Sequence, residues 1–277
     1  MKSMEINLSP GRLRALQLVQ TDMLIEVDRV CRENGIEYSL AGGTLLGAIR
    51  HKGYIPWDDD ADVVMMRAEY IKLAKIFNDV TNRDKYYFQD ADNTPGYRWG
   101  YGKIRRKGTL WVRAGQEDMP FDQEICIDVF PLDFVPNGNI RGKLHNFHCF
   151  LIRKAQWSEI GKHTAKNRFA RYTYKLLSKI PLEKITKHYH KLADKHNNNK
   201  NERLRVLTFP TPRGFDYEGE KAWYREFTEH IFEGHIFKIM SKYDDYLRLK
   251  YGDYMKLPPE SEHVTHPASQ FELPIDE

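Results

Sequence analysis

The stretch AGGTLLGAIRHKGYIPWDDDAD, residues 41–62, joins a glycine pair to a run of aspartates and decides how the chain is interpreted. Residues 36–41 before it have the character of a short strand, which breaks at the glycines so that a short helix can follow over residues 44–51. The bare N–H groups of such a strand-to-helix turn, together with the helix N-terminus, suit an anion. A glycine pair is more often only a turn, so this feature alone indicates little.

Four carboxylates crowd into five positions after this helix: Asp58, Asp59, Asp60 and Asp62. They would repel one another strongly unless a cation lay among them. Asp60 and Asp62 stand two residues apart at the start of an apolar strand, so their side chains share one face. Such a pair can hold Mg²⁺ or Mn²⁺ and leave open positions for water and substrate phosphates. A solvated acidic loop is the simpler alternative. We set aside a calcium-binding loop, because that motif requires glycine where Val63 stands.

A further carboxylate comes from a later apolar segment, where Asp128 stands among isoleucine, cysteine, valine and phenylalanine. An unpaired charge inside such a strand would cost several kcal/mol. One interpretation makes Asp128 a structural hydrogen-bonding group. Next to an Asp-x-Asp pair, a metal ligand or a general base explains it better.

Hydrophobic periodicity changes character at about residue 135. Upstream, we predict helices over residues 10–35, 44–51 and 67–81, and strands over 36–41, 61–66, 86–90, 98–106, 110–113 and 124–130. Downstream, we predict helices over residues 140–180, 182–195 and 241–251, a loop at 197–199, and a strand over 203–208 that ends at Pro210 and Pro212. The pattern predicts a mixed sheet core, residues 1–135, with a helical extension and C-terminal segment, residues 136–277, completing the same unit.

Composition excludes several classes of protein. The 277 residues carry 43 Lys+Arg and 39 Asp+Glu, a formal charge of +4, and 41% are hydrophobic, which is enough for a core and excludes wholesale disorder. Three widely spaced cysteines without a CxxC pair exclude a disulfide scaffold and a cysteine-based zinc module. No apolar run approaches the ~20 residues that span a bilayer, and residues 1–10 lack the apolar stretch of a signal peptide. We therefore expect a cytoplasmic protein.

The small net charge hides an uneven distribution. Residues 141–205 contain 17 Lys+Arg and four acidic residues, a net charge of +13, which leaves −9 for the rest of the chain. A solvated helix face is one explanation. The other is peripheral contact, at the inner membrane face, with anionic lipid head groups or a lipid-linked glycan, since each surface Lys or Arg contributes ~1 kcal/mol near such a membrane. No nucleic-acid-binding motif accompanies the charge, so nucleic acid is not an expected partner.

Three elements in this order resemble the LicD family of phosphocholine transferases: Gly42-Gly43-Thr44, Trp57-Asp58-Asp59-Asp60-Ala61-Asp62, and Ile127-Asp128-Val129-Phe130-Pro131-Leu132-Asp133. That family is related to fukutin and fukutin-related protein and belongs to the nucleotidyltransferase-fold superfamily. Phe232-Glu233-Gly234, Tyr246-Leu247 and residues 251–259 are similar too. The resemblance covers nearly the whole chain, least distinctly over the basic helices. It implies an α+β fold with a nucleotidyltransferase-like mixed sheet core, flanking helices and a basic helical extension.

The resemblance also implies a reaction. A phospho-substituent, most typically phosphocholine from CDP-choline, would pass to a sugar hydroxyl of a cell-surface glycan precursor, such as that of a lipopolysaccharide or a teichoic acid, with release of CMP. The partners would be a CDP-activated donor and a saccharide or lipid-linked glycan acceptor. Positioning and charge neutralisation would supply most of the catalysis.

Site residues follow from the same resemblance. Asp60 and Asp62 would ligate the catalytic Mg²⁺ or Mn²⁺, with Asp58 assisting. Asp128 would complete the site as a ligand or as the base that accepts the sugar hydroxyl proton. The donor phosphates would be approached by Gly42, Gly43 and Thr44.

Cations are needed for the pyrophosphate and the leaving CMP. Our candidates are Arg50 in the helix after the glycine pair, and Lys103 and Arg105 on a strand. The weaker candidates are His51, His263 and His266, because an individual histidine is more often structural. A choline head group would call for an aromatic cage, but the sequence does not indicate which of its 16 Tyr, 14 Phe and 5 Trp converge.

Two alternatives stay open from the sequence. One is a nucleotidyltransferase that attaches a whole nucleotide to a small acceptor. The other, from a different class, is a non-catalytic relative that binds glycan or membrane, against which the complete set of Asp60, Asp62 and Asp128 argues. The animal relatives of the LicD family use ribitol phosphate, and the residues named above serve the phosphates and metal rather than the head group. The cysteine zinc element of fukutin-related protein has no match here.

Overall fold

A computed structural model describes residues 6–197, 201–211, 217–263 and 265–274. Within these ranges the α-helices are α1 (Pro10–Glu33), α2 (Gly42–His51), α3 (Arg67–Val80), α4 (Asn139–Gln156), α5 (Ser158–Thr164), α6 (Arg168–Leu177), α7 (Leu182–His196) and α8 (Tyr243–Tyr251). The strands are β1 (Ser39–Leu40), β2 (Asp62–Met66), β3 (Tyr86–Gln89), β4 (Gly102–Arg106), β5 (Leu110–Arg113), β6 (Cys126–Val135), β7 (Arg203–Arg205), β8 (Gly219–Glu220), β9 (Phe227–Phe232), β10 (His235–Met240) and β11 (Ala268–Glu272). The predicted α+β class is confirmed. Pro212 and two residues of the predicted 197–199 loop lie outside the described ranges.

Helix α1 begins and ends where its sequence predicts. The Ser9 side chain accepts a hydrogen bond from the Arg12 N–H at 3.4 Å, and Pro10 takes the first helical position, where no N–H is needed. The chain leaves the helix at Gly35, whose φ of +61° suits glycine. One apolar stripe, including Leu16 and Val27, is fully buried against the sheet.

The main sheet has the strand order β1-β2-β6-β4-β3. Strands β2 and β6 are parallel, whereas β1 pairs with β2, and β4 with β6 and β3, in the antiparallel sense. All ten residues of β6 are buried, as expected for a strand with neighbours on both edges and layers on both faces. The mixed sheet therefore has β2 and β6 at its centre.

Strand β6 is longer than predicted, because it continues through Pro131 to Val135. Proline removes a hydrogen-bond donor and normally ends a central strand. Here one edge of β6 pairs with β4 only as far as Val129 and with β7 only from Asp133 onward. Pro131 falls in the gap between these two partners, so its missing N–H costs no ladder bond on that edge.

The single helix predicted over residues 140–180 is wrong in its continuity, since the structure has α4, α5 and α6 there. The Arg98 guanidinium ends α4 by donating to the carbonyls of Gln156 at 2.7 Å and Ala155 at 3.2 Å. Asn167 then caps α6, accepting from the Phe169 N–H at 2.8 Å. A distant arginine on another segment therefore divides the helix, which periodicity alone cannot reveal.

The C-terminal strands were not predicted. β9 and β10 form a hairpin whose turn residues, Glu233 and Gly234, both have positive φ, as a two-residue turn of this kind requires. β11 pairs with β5 at a separate edge. The main hydrophobic core contains residues from both sides of position 135, including Phe232, Met240 and Leu247.

A smaller core lies between α4, α7 and the end of β6, around Ile152, Tyr189 and Leu192. It is tied to the main sheet by Arg67, which donates two hydrogen bonds to the fully buried Asp133 and one to the Tyr189 hydroxyl. None of the helices in the described ranges is long and apolar enough to cross a membrane.

Candidate active site

The two central strands bring the predicted carboxylates together. In the parallel pairing of β2 with β6, Asp62 stands directly opposite Asp128, and the Asp128 N–H donates to the Ala61 carbonyl at 2.9 Å. Asp62 in turn donates its N–H to the Thr44 hydroxyl at 2.9 Å. Residues 66 positions apart in the sequence are therefore neighbours, because the parallel strands that carry them pair in this register.

The glycine pair makes room for the carboxylates. A Cβ on Gly42 would lie 2.8 Å from Asp62 Oδ2, and a Cβ on Gly43 would lie 2.5 Å from Asp58 Oδ2. Gly42 is the first residue of α2, has a φ of +54°, and donates its N–H to the Tyr246 hydroxyl at 3.2 Å. The contacts thus give the glycines a steric role beside aspartates at a helix N-terminus, where negative charge is favoured. Their predicted contact with donor phosphates stays a prediction.

Burial and neighbouring carboxylates disfavour the charged forms of Asp58 and Asp62. Desolvation raises the pKa of Asp58 well above its ordinary value, and the carboxylates of Asp60 and Asp59 add to the effect. Desolvation likewise raises the pKa of Asp62, reinforced by Asp60 and Asp128 and opposed by Lys250. Like charges held this close favour a bound cation.

Asp59 and Asp60 share a histidine from the C-terminal segment. The ring Nδ1 of His266 lies 2.7 Å from Oδ1 of the buried Asp59 and 3.4 Å from Asp60 Oδ2. The backbone N–H of His266 donates to Asp59 Oδ2 at 2.6 Å. Asp60 Oδ2 also lies 3.6 Å from the Arg113 guanidinium. In the described part of the chain, only Asp59, Asp60 and His266 form a set of three ligand-type side chains with ligand atoms within 4.8 Å of one another.

Two lysines approach the central pair of strands. Lys103, opposite Asp128 in the β4–β6 register, forms a buried ion pair with it. Burial alone would lower the pKa of Lys103, but the Asp128 carboxylate raises it above its ordinary value. Lys250 of α8 places its ammonium 3.2 Å from the Tyr246 hydroxyl and 3.9 Å from the position of a Cβ on Gly42. Positive charge therefore stands beside both Asp62 and Asp128.

The other predicted cations have structural contacts. Arg50 donates to the carbonyls of Tyr254 at 2.8 Å and Lys256 at 3.4 Å, so it holds the C-terminal segment against α2. Arg105 is buried and donates to Gln89 Oε1 at 2.9 Å and the Glu124 carbonyl at 2.6 Å. These contacts add no support to a phosphate-binding role for either arginine.

The remaining histidines lie outside the carboxylate group. His51 Nδ1 accepts a hydrogen bond from the neighbouring Arg50 at 3.4 Å. His263 stacks on Trp57, with ring centroids 3.3 Å apart. Trp57 therefore packs against the C-terminal segment, and the stack fixes the start of the aspartate run.

Side chains from α1 and the β9–β10 turn hold the loop that carries the aspartates. Gln17 and Gln20 donate to the carbonyls of Asp58 at 2.9 Å and Asp59 at 3.1 Å. Glu233 accepts from the Tyr54 N–H at 3.0 Å and pairs with Arg14 at 2.5 Å. Both contacts lower the pKa of Glu233, so it remains an ionised clamp.

Comparison with known proteins gives this site its context. Residues 35–188 match the family model described as LicD/FKTN/FKRP, nucleotidyltransferase domain. Over 268 residues the chain is 33% identical to the lipopolysaccharide cholinephosphotransferase LicD of Haemophilus influenzae, covering 92% of this chain and 95% of that protein. The chain belongs to the LicD family. It is accordingly a transferase.

Two further proteins are similar to this chain over a shorter stretch. They are the uncharacterized proteins RP689 of Rickettsia prowazekii and RT0683 of Rickettsia typhi. Identity is 41% and 40% over 63 residues, which cover 23% of this chain in each case, and 23% and 20% of the two proteins. These matches concern a limited part of the LicD-family unit.

The carboxylates of this LicD-family site fit a hard divalent cation. Such ions take oxygen ligands, and Mg²⁺ in particular is held by one or two carboxylates together with waters and substrate phosphates. Asp58, Asp60, Asp62 and Asp128 supply oxygen donors, and the two glycines leave the space that Cβ atoms would fill. The tighter Asp59–Asp60–His266 group shares Asp60 with that set, so the two arrangements make different predictions for His266.

Sequence reasoning missed several charged and polar residues of the site. Arg113 lies on β5 and contacts Asp60, whereas Tyr246 and Lys250 lie on α8 beside Gly42. All three reach the site only through tertiary packing. Tyr246 does belong to the tail that resembles the LicD family, and that resemblance was the one available signal for it.

Proposed function

We propose that this LicD-family protein transfers phosphocholine from CDP-choline to a sugar hydroxyl of a cell-surface glycan, with Mg²⁺ or Mn²⁺ bound by the aspartates. The observation that carries the proposal is the opposition of Asp62 and Asp128 on parallel strands, with Asp58 and Asp60 beside them. The end-to-end similarity to a lipopolysaccharide cholinephosphotransferase supports phosphocholine as the transferred group.

In the proposed reaction the sugar hydroxyl attacks the phosphorus that carries choline. The bond from that phosphorus to the bridging oxygen breaks, and CMP leaves with the electron pair. A bound divalent ion would neutralise the pyrophosphate charge. Asp128 accepts the proton of the hydroxyl, and Lys103 holds that carboxylate in place on β6.

The cations around the aspartates have a matching role. Lys250 stands beside Gly42 and Asp62, where it can balance the phosphate charge that grows on the leaving group. Arg113 and His266 contact Asp60 and keep its carboxylate oriented. Positioning and electrostatic compensation are the main contributions expected of a phosphoryl-transfer site.

Metal binding is tested with Mn²⁺ followed by electron paramagnetic resonance, together with turnover of CDP-choline and an acceptor glycan. Asp60→Asn should weaken Mn²⁺ binding and lower kcat at least about 10³-fold, which corresponds to about 4 kcal/mol, while the exposed control Asp84→Asn leaves both unchanged. Retained turnover by Asp60→Asn would refute the metal assignment.

The two possible ligand sets are separated by two further variants. If Asp62 and Asp128 belong to the set, Asp62→Asn should weaken Mn²⁺ binding more than His266→Asn does. The reverse order would place the ion at the Asp59–Asp60–His266 group instead. Thermal melts of both variants establish that the fold is intact.

Product analysis separates the proposal from nucleotidyl transfer. With CDP-choline and acceptor, we expect free CMP and an acceptor heavier by one phosphocholine group, both visible by mass spectrometry. Transfer of CMP itself to the acceptor would reject the proposal. A parallel assay with CDP-ribitol and CDP-glycerol tests the head group.

We also propose that the protein works at an anionic membrane surface or on a lipid-linked acceptor. Helix α6 buries no side chain completely, and Phe169, Tyr172 and Leu176 are exposed by 76%, 61% and 47% along one face. The basic residues flanking that face are Arg168, Arg171, Lys175 and Lys179. An exposed apolar stripe beside basic side chains is typical of a helix that lies in a membrane interface.

Sedimentation with vesicles rich in anionic lipid tests this contact. The double variant Lys175→Glu with Lys179→Glu should bind at least about tenfold more weakly, since each basic residue contributes about 1 kcal/mol near such a surface. Lys72→Glu with Lys75→Glu on α3 makes the same charge change elsewhere and should bind like the wild type. Equal losses from both pairs would show that net charge alone is responsible.

A further inference from the structure

A small cavity opens beside Asp62, lined by residues of β2 and β6 and of the C-terminal part of the chain. Gly42 and Asp62 border it at one end, and Glu218 and Val206 line it as well. Its volume is about 50 Å³. A space of this size suits a small chemical group, since even a single water molecule needs about 10–15 Å³ of occupied volume.

Four aromatic rings line this cavity: Phe130, Phe209, Tyr224 and Tyr246. Phe130 and Phe209 meet edge to face, with centroids 4.8 Å apart. Aromatic faces attract alkylammonium groups, and no such attraction acts on an uncharged polyol. The lining therefore favours a cationic ligand over an uncharged sugar alcohol.

Glu218 adds a buried carboxylate to the lining. The residue is only 9% exposed, and among the described residues its side chain has a single hydrogen bond, a long one of 3.5 Å from the Val206 N–H. A buried carboxylate with so little compensation is costly unless an opposite charge approaches it. The surrounding cations are Lys250 and Arg205, and Arg205 already donates to the Phe209 carbonyl and to Asn146.

Lys250 lines the same cavity near Gly42, with its ammonium 3.2 Å from the Tyr246 hydroxyl. The cavity therefore presents a positive group beside the aspartates and a negative group against Val206. Phosphocholine has the complementary pattern, an anionic phosphate joined by a two-carbon link to a trimethylammonium group.

We propose that this cavity is the head-group subsite of the donor, in which Glu218 and the aromatic rings surround the trimethylammonium group while Lys250 faces the adjacent phosphate. The inference rests on the proposed function and specifies which part of the site recognises choline. It makes Glu218 and Tyr224 determinants of specificity that take no part in the chemical step.

Calorimetric titration with CDP-choline and with CDP-glycerol, in the presence of Mg²⁺ and without acceptor, tests the subsite. Glu218→Gln should bind CDP-choline at least tenfold more weakly and CDP-glycerol within twofold of the wild type. Tyr224→Leu should show the same selectivity. Glu220→Gln, at an exposed position of β8 two residues further along the chain, is the matched control and should bind both donors normally.

The outcomes separate this inference from the proposed function. A wild-type protein that prefers CDP-glycerol would reject the proposed donor itself. If the wild type prefers CDP-choline but Glu218→Gln and Tyr224→Leu retain that preference, only the placement of the head group is overturned. Equal weakening of both donors would also overturn it, because the cavity would then support the nucleotide or the fold instead of choline.

Discussion

The carboxylates between β2 and β6 are held inside the molecule, whereas the lysines and arginines of α6 project from it. Asp62 and Asp128 are fixed by strand register, by Thr44 and by Lys103. By contrast, α6 buries no side chain completely. The two regions carry opposite charge. They also differ in how firmly the charged groups are held in place.

This difference teaches what each kind of charge is suited to do. Phosphoryl transfer requires groups fixed relative to the reacting atoms, and desolvation strengthens their fields. Attraction to a charged surface requires only number and accessibility, and it weakens with salt. Substitutions in four places test this difference. They are the Arg67–Asp133 ion pair that ties the smaller core to the main sheet, the packing of α4, the geometry of the carboxylates, and the exposed face of α6.

The largest effect on stability is expected at the Arg67–Asp133 ion pair, which ties the smaller core to the main sheet. Asp133→Ala should lower the free energy of unfolding by about 3–5 kcal/mol, because it leaves the largely buried Arg67 charge without its partner. Urea denaturation measures the change. Asp79→Ala removes a partner from an exposed ion pair with Arg83 and should cost less than about 1 kcal/mol. Similar losses of unfolding free energy in the two variants would mean that the buried pair does not hold the smaller core to the main sheet.

The second largest effect is expected at acid pH, where the buried His145 of α4 should lower the stability of the protein. Burial lowers the pKa of His145 to about 3, assisted by His196 of α7, Arg205 of β7 and the neighbouring His148 and Lys195. Below about pH 6.5 the unfolded chain therefore protonates His145, whereas the folded chain keeps it neutral. The free energy of unfolding falls as the pH drops through this range, by up to about 1.4 kcal/mol per pH unit. Urea midpoints at several pH values should show a smaller slope for His145→Gln than for the wild type. An unchanged slope would contradict the assignment.

Carboxylate geometry is tested by adding one methyl group. In Gly43→Ala the new Cβ would lie 2.5 Å from Asp58 Oδ2, so the carboxylate must move. Because a side-chain end can yield cheaply and alanine favours helix, we expect a melting temperature close to that of the wild type but kcat/KM about tenfold lower. Gly11→Ala, on α1 with open space around it, should leave kcat/KM unchanged. An active Gly43→Ala would show that the Asp58 position is not critical.

The smallest effect is expected on the exposed face. Phe169→Ser should change the free energy of unfolding by no more than about 0.5 kcal/mol, since the side chain is 76% exposed. Phe77→Ala, at a fully buried position of α3, should cost about 3–5 kcal/mol. A large loss for Phe169→Ser would mean that α6 packs against another part of the protein in solution.

The sequence was sufficient for the elements that lie close together along the chain. The helix predicted over residues 10–35 matches α1, and the strands predicted over 61–66, 86–90 and 110–113 match β2, β3 and β5 within a residue or two. The proximity of Asp62 and Asp128 followed from two apolar strands that each carry an acid. Local propensity and burial agree at these positions, so short-range reasoning succeeds.

Prediction failed where distant residues decide. Arg98 divides the helical region by capping α4, and strand partners on either side of Pro131 let β6 continue. Lys250 and Arg113 reach the aspartates only after α8 and β5 have packed. The contacts of Arg50 with the C-terminal segment are likewise set by distant residues, and its role toward phosphate stays a prediction. Such pairings depend on the assembled fold and leave no local pattern.

Tyr246 and Lys250 beside Gly42, and His266 against Asp59, have a consequence for synthesis on the ribosome. The strand that carries Asp62 emerges early, but the groups that surround it emerge some two hundred residues later. A nascent chain therefore exposes an acidic loop without its basic and aromatic partners for most of translation. A transcript cut short before these codons would yield a polypeptide with all four aspartates and an incomplete site around them.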